Sequence, residues 1–289
     1  MHTLLQAVQR HTEAYGNAEG VAHTAIPGLT TVRATMPSEL LHAIPRPLFC
    51  LVLQGSKHVT LGQHGTLYQG GDTLLITADV PTASQITRAS LAAPYLALVL
   101  ELDAALVAAL VEEGAAPGPA GTDADVRDAA LRIMRLLDRP AAVPVLHGQL
   151  VRELHYWLLT GRHGEAVRRL GMQTAYARQV GRAIALVRTD FARTLPIGEL
   201  AAVAAMSASS FHHHFRQLTS LSPLQFQKRL RLIEARRLMR FHAASASSAA
   251  FAVGYESVPQ FTRDYGKLFG APPLRDTRAQ QAGASARSI

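Results

Sequence analysis

Ser209, His212, His213 and Arg216 lie within SASSFHHHFRQL at 207–218, where Phe211, Phe215 and Leu218 fall at i, i+4 and i+7. That spacing predicts a helix whose apolar stripe faces a core, and it puts the four polar residues on the opposite face. Hydrogen-bonding groups on a narrow helix are what a helix-turn-helix motif inserts into the major groove of double-stranded DNA. A second stretch, SVPQFTRDYGKLFG at 257–270, repeats the arrangement. Phe261, Tyr265 and Leu268 form its inner stripe, and Gln260, Thr262 and Arg263 point outward. The histidine run at 212–214 invites a metal reading. Successive helical positions point about 100° apart, however, so the three do not converge on one ion.

These faces need start signals, turns and a linker to position them. Ser207 and Ser257 stand fifty residues apart where N-caps belong, with side-chain oxygens placed to accept from free first-turn amides. Val258 and Pro259 fall in the first turn, where proline costs little, and Gly254 supplies turn geometry that other residues resist. A short Ala-rich helix is expected before each capped one, with a break at 205–207 in the first copy. Between the copies, SPLQFQKRLRLIEARRLMRF at 222–241 reads as one basic helix, and TAYARQVGRAIALVRTDF at 174–191 as the helix preceding the first motif. Two motifs on one rigid linker can reach successive major grooves, about 34 Å apart, on one face of DNA.

Charge divides the chain at the same place. Residues 1–174 carry 13 Lys/Arg against 15 Asp/Glu, a net −2, whereas residues 175–289 carry 16 against 6, a net +10. The C-terminal part is therefore the one expected to meet a polyanion. A length of 289 residues suits two domains of roughly 100–200 residues, and 1–174 and 175–289 are the expected boundaries. No apolar run approaches the roughly 18 residues of a membrane helix, and charge interrupts any signal core in MHTLLQAVQRHTEAYG. The expectation is an unprocessed cytoplasmic protein without a membrane partner. Cys50, the single cysteine, fits a reducing compartment.

Residues 1–16 have helical spacing, and from Val21 to about Leu100 the texture is of short strands: TTVRATM, LFCLVLQG, HVTLG, TLYQ, DTLLITAD, ASQITRAS and YLALVLEL. Gly, Pro and Asp breaks at short intervals predict antiparallel strands of a small barrel or sandwich. EEGAAPGPAGTDAD at 112–125 reads as a loop, and DVRDAALRIMRLLDRP and HGQLVRELHYWLLTG as a helical pair. The pair either packs on the barrel or offers an apolar stripe to a second copy of the chain. A metal-dependent barrel enzyme would need clustered His and Glu ligands; His58 and His64 are present, but a His-x-His followed by Glu is not. Asp72 and Asp79 are explained by a turn and a strand end. No metal, cofactor or catalytic residue is expected. Alternation sets Cys50 and Val52 against Phe49 and Leu51. Cys50 is then either a small buried hydrophobe or an electrophile-sensing thiol, which needs exposure and a lowered pKa.

Residues 182–276 resemble the DNA-binding domain of AraC/XylS-type transcription regulators: the second motif runs into a Phe-Gly-x-x-Pro element, here FGAPP at 269–273, and SPLQFQKRLRLIEARRLM matches the linker helix. PLFCLVLQGSKHVTLG, GDTLLITADVP and APYLALVLELD resemble the N-terminal domain of one subgroup, a cupin-like barrel followed by helices, often regulating redox- or aldehyde-related genes. The resemblance implies an α+β chain, in which an effector-binding, oligomerising barrel precedes an all-helical tandem helix-turn-helix domain. Base-reading positions map onto Ser209, His212 and His213, and onto Val258, Pro259 and Arg263. Val258 and Pro259 donate no side-chain hydrogen bond, so the second motif is expected to read less sequence. Gly266 stands where a basic residue is common. Arg216, Lys228, Arg229 and Arg275 are expected on phosphates. The implied partners are double-stranded DNA, an unidentified small-molecule or electrophilic effector sensed near Cys50, RNA polymerase and a second copy of the chain. The competing reading is a metal-dependent cupin enzyme fused to a DNA-binding domain.

Overall fold

The computed structural model describes residues 3–61, 64–118, 123–172 and 175–277. The chain divides into two compact units, Met1–Thr174 and Ala175–Ile289.

The first unit begins with α1 (Leu4–Tyr15) and continues through β1 (Val21–His23), β2 (Leu29–Ala34), β3 (Leu41–Ala43), β4 (Leu48–Gln54), β5 (Ser56–Leu61), β6 (His64–Gln69), β7 (Thr73–Ile76), β8 (Thr82–Arg88) and β9 (Tyr95–Glu101). The strands form two sheets, ordered β1-β2-β9-β4-β7 and β3-β8-β5-β6, with antiparallel pairing throughout. This is the expected cupin-like architecture. Alternation along β4 serves two cores at once. Cys50 and Val52 join Val59, Ile86 and Tyr95 between the sheets, while Phe49 and Leu51 join a larger core beneath the helices.

That larger core is covered by α1, α2 (Ala104–Glu112), α3 (Asp123–Leu136), α4 (Val143–Thr160) and α5 (Gly164–Gly171). Met134, Leu154 and Leu158 are buried in it, and Leu131, Leu137, Leu150 and Trp157 pack against it. The helical pair is thus used for packing, and α4 exposes Val145 and Leu146 near its start. Two of these helices are absent from the sequence expectation. AALVAALVE of α2 has no polar face to show a period, although Asp103 caps it by accepting from the amides of Ala105 (2.8 Å) and Leu106 (3.2 Å). GEAVRRLG of α5 begins and ends on glycine and reads as a turn.

The second unit contains α6 (Ala175–Asp190), α7 (Ile197–Val203), α8 (Ala208–Thr219), α9 (Pro223–Phe241), α10 (Ala246–Ala252) and α11 (Val258–Phe269). Between α7 and α8, Ala205 takes a left-handed conformation (φ 52°); Gly254 does the same between α10 and α11 (φ 84°). The linker α9 starts with a capping box. Ser222 Oγ accepts from the Gln225 amide, and Gln225 Oε1 accepts from the Ser222 amide. The two reciprocal bonds satisfy amides that the helix itself leaves unpaired. Two short helix pairs joined by a long helix therefore stand where the repeat placed them.

Candidate nucleic-acid interface

In the first motif, Ser207 Oγ accepts from the Ser210 amide at 3.2 Å, so the predicted cap is formed. Phe211 and Phe215 are fully buried with ring centroids 5.4 Å apart, and Phe215 meets Phe226 of α9 edge-on at 5.4 Å. Burial of such rings is worth roughly 1.5–3 kcal/mol each, which fixes the roll of α8. The outward face is then set: Ser209, His212, His213 and Arg216 are exposed and, with Gln217, line one open depression. His214 leaves this group. It stacks on Tyr176 of α6 at 4.6 Å with the rings 9° from parallel, and its Nδ1 lies 3.3 Å from Gln217 Oε1. The three histidines therefore point to different surroundings. No cluster of three or more His, Cys, Asp or Glu side chains among the described residues is placed to hold a metal ion.

In the second motif, Phe261 and Tyr265 are buried, Gln260 and Arg263 are exposed and Thr262 is half-buried. Ser257 occupies the N-cap position but makes no capping bond, contrary to the sequence expectation. One reason is local: a cap reaches the second or third amide of the helix, and the second residue is Pro259, which has none. The Tyr265 hydroxyl donates to Asp276 Oδ2 at 2.6 Å, and Arg236 Nε donates to the same oxygen at 2.9 Å. Burial disfavours that carboxylate, yet these bonds hold Asp276 below its ordinary pKa.

The expected phosphate-contacting residues divide. Arg275 is exposed. Arg229 is half-buried, and burial draws its pKa down. Lys228 sits 3.0 Å from Asp264 Oδ2, and the Tyr255 hydroxyl donates to the same carboxylate at 3.4 Å. Its ammonium therefore already has a partner on α11, where the expectation placed it on DNA. Gln217 and Lys267, exposed on the two recognition helices, extend the polar faces beyond the residues singled out from the sequence. They follow Arg216 and Gly266 by one position, outside the matched motif places.

In the first unit, Cys50 is fully buried and hydrogen-bonded to Tyr95; burial pushes its thiol up, against the opposite pull of Lys57 and of that bond. Neither condition for an electrophile-sensing thiol is met. Lys57 faces the space between the sheets, since it pairs with the buried Ile86 on β8 and with Tyr68 on β6, both of which belong to that core. His58 pairs with Leu67 while His64 pairs with Leu61, so strand register keeps the two histidines apart.

Residues 25–166 match the AraC-type transcriptional regulator N-terminus family, and residues 200–280 match a helix-turn-helix domain family. The chain belongs to the AraC family. Among curated relatives, this AraC-type chain is 29% identical over 100 residues to the HTH-type transcriptional regulator GbdR of Pseudomonas aeruginosa, a match covering 35% of the chain and 27% of GbdR. It is 30% identical over 99 residues to the HTH-type transcriptional activator RhaS of Escherichia fergusonii, covering 34% of the chain and 36% of RhaS. The match thus spans only about a quarter to a third of these relatives. The crystal structure of unsaturated fatty acid bound ToxT from Vibrio cholerae superposes with a TM-score of 0.55 at 10% identity, covering 86% of this chain and 93% of ToxT. That likeness is one of fold across both units of the AraC-type chain.

Proposed function

We propose that this protein is a sequence-specific DNA-binding transcription regulator whose N-terminal barrel senses a small molecule. The observation that carries the reading is the exposed face of α8: Ser209, His212, His213 and Arg216 project from a capped helix whose opposite side is locked by buried phenylalanines. Side chains on such a face read base edges, while Arg275 and the exposed cations of a +10 unit hold phosphates and set the register. On α11 only Gln260, Thr262 and Arg263 offer hydrogen bonds, so the second element of the operator is read more loosely.

For the effector, we propose a mainly apolar molecule with one acidic group. The residues between the sheets are mainly aliphatic, joined by the Cys50–Tyr95 pair, Tyr68, the inward-facing Lys57 and the Thr82 and Ser84 hydroxyls on the Ile86 face of β8, and no carboxylate among the described residues pairs with that lysine. ToxT, alike in fold, is bound to an unsaturated fatty acid. Thermal unfolding with octanoate and with octanol tests this: stabilisation by the acid alone, lost in Lys57→Met, supports it, and equal responses dispose of it. Self-association of two copies through Val145 and Leu146 of α4 completes the reading and is measured by sedimentation. The enzyme alternative draws no support from His58 and His64, which the sheet register separates.

The decisive experiment is selection of bound fragments from random DNA by the full-length protein across a salt series. Two recovered elements about one helical turn apart, with log affinity falling by roughly 0.9 per phosphate contact against log salt, are the expected result. Salt-sensitive binding without a recovered motif would defeat the sequence-reading proposal.

A further inference from the structure

Near the middle of α9, one side chain hydrogen-bonds to both motifs. Arg231 Nε donates to the carbonyl of Phe191 at 2.6 Å, and Nη2 donates to those of Ala192 (3.1 Å) and Arg193 (3.0 Å). Its Nη1 donates to the carbonyl of Gly254 at 2.8 Å. Gln227, one turn earlier, donates from Nε2 to Phe191 (2.9 Å) and Arg193 (2.7 Å). Residues 191–193 lead from α6 into the first motif, and the Arg193 guanidinium continues the chain of contacts to Glu199 on α7 at 3.0 Å. Gly254 is the turn of the second motif.

The two segments also touch directly. A Cβ on Gly254 would lie 1.7 Å from the Ala192 carbonyl oxygen, so the turn of one motif is seated on the entry turn of the other. Helix ends leave carbonyls without intrahelical partners, and the planar fork of an arginine can serve several such acceptors from one fixed position. Without it, the motifs would be tied by packing alone: Phe226 of α9 under the first, Leu232, Ala235 and Met239 under the second, and Phe191 with the Gly254–Ala192 contact between them.

We propose that Arg231, assisted by Gln227, is a positioning residue that fixes the spacing and phase at which α8 and α11 meet DNA, so that operator spacing is a property of this clamp. One added base pair displaces the second element by about 3.4 Å and turns it by about 35°. A clamped pair of motifs rejects that change; an unclamped pair absorbs part of it. The inference rests on the proposed DNA-reading function and makes a separate demand of it.

The test is selection from random DNA with full-length wild type, Arg231→Met and Gln227→Leu, followed by affinity measurements on operators with the spacer changed by one base pair either way. Thermal unfolding first establishes that each variant is folded. Wild type is expected to return one spacing and to lose roughly tenfold or more in affinity when it is changed. The folded variants are expected to return both elements over several spacings, with the penalty reduced to within about threefold. A merely structural role would lower melting temperature and leave the spacing profile untouched. If Arg231→Met does not fold, Arg231→Lys is read in its place, because a single ammonium cannot span both sets of carbonyls. Folded variants that keep the wild-type spacing and penalty overturn the clamp while leaving the DNA-reading function standing. Wild type that returns no paired elements overturns both.

Discussion

The two helix-turn-helix motifs are built on one plan and equipped differently. Each buries two aromatic side chains under its second helix, Phe211 and Phe215 in one and Phe261 and Tyr265 in the other. The first starts on a working cap and exposes Ser209, His212, His213, Arg216 and Gln217; the second starts on a serine that makes no capping bond, has Pro259 two residues on and carries Gly266 with nothing within 4 Å of a would-be Cβ. It also holds an acid, Asp264, neutralised from the linker by Lys228. The inner stripes are constrained by packing and so stay alike. The outer faces answer to their partner and are free to diverge, so a shared scaffold does not imply a shared reading load.

The strongest way to break the comparison is at its common part. Phe211→Ala and Phe261→Ala are each expected to cost about 3–5 kcal/mol, and calorimetry on the full chain should show similar losses; a negligible loss at either site would mean that the stripe there is not core. Next come the outer faces. His213→Ala is expected to cost about 1–3 kcal/mol of discrimination between cognate and altered operators, and Pro259→Ala almost none. Competition binding that gives both the same effect would erase the proposed asymmetry. The caps come third. Ser207→Ala should lower stability by about 1 kcal/mol and Ser257→Ala by far less, as chemical denaturation would reveal. The smallest effect has the opposite sign: Gly266→Ala, in open space within a helix, should stabilise by about 0.5–1 kcal/mol and leave operator affinity unchanged.

What could be read from the sequence follows the range of the interactions. LFCLVLQ announced its two faces because strand alternation is local, and the break before Ser207 was visible because a cap acts within three residues. The outward placement of Ser209, His212 and His213 followed from the phenylalanine stripe alone. α2 stayed hidden because its solvent-side positions are mostly alanine, so no polar face betrays the helix even though only Val107 and Leu110 are buried. The pairing of Lys228 with Asp264 is not legible in the sequence because the partners lie 36 positions apart, beyond any periodic pattern. Arg231 looked like one more base in RLRLIEARR, since nothing in its spacing distinguishes a residue that binds carbonyls from one that faces solvent. The silent cap at Ser257 is hidden in a detail of the sequence: Pro259, two residues on, is tolerable in the first turn but takes away an amide that a cap would reach.

Strand β4 has no idle side. Its alternate residues are held between the sheets at Cys50 and Val52 and under the helices at Phe49 and Leu51. A strand is too thin to absorb a displacement within itself, so anything that wedges the sheets apart at Val52 must shift the footing of the helical layer at Leu51, one residue away. In mechanical terms β4 is a rocker with both ends loaded, and under the proposed sensing function a molecule entering the barrel would act on helix seating through this one strand, without any lid, hinge or relay of side chains.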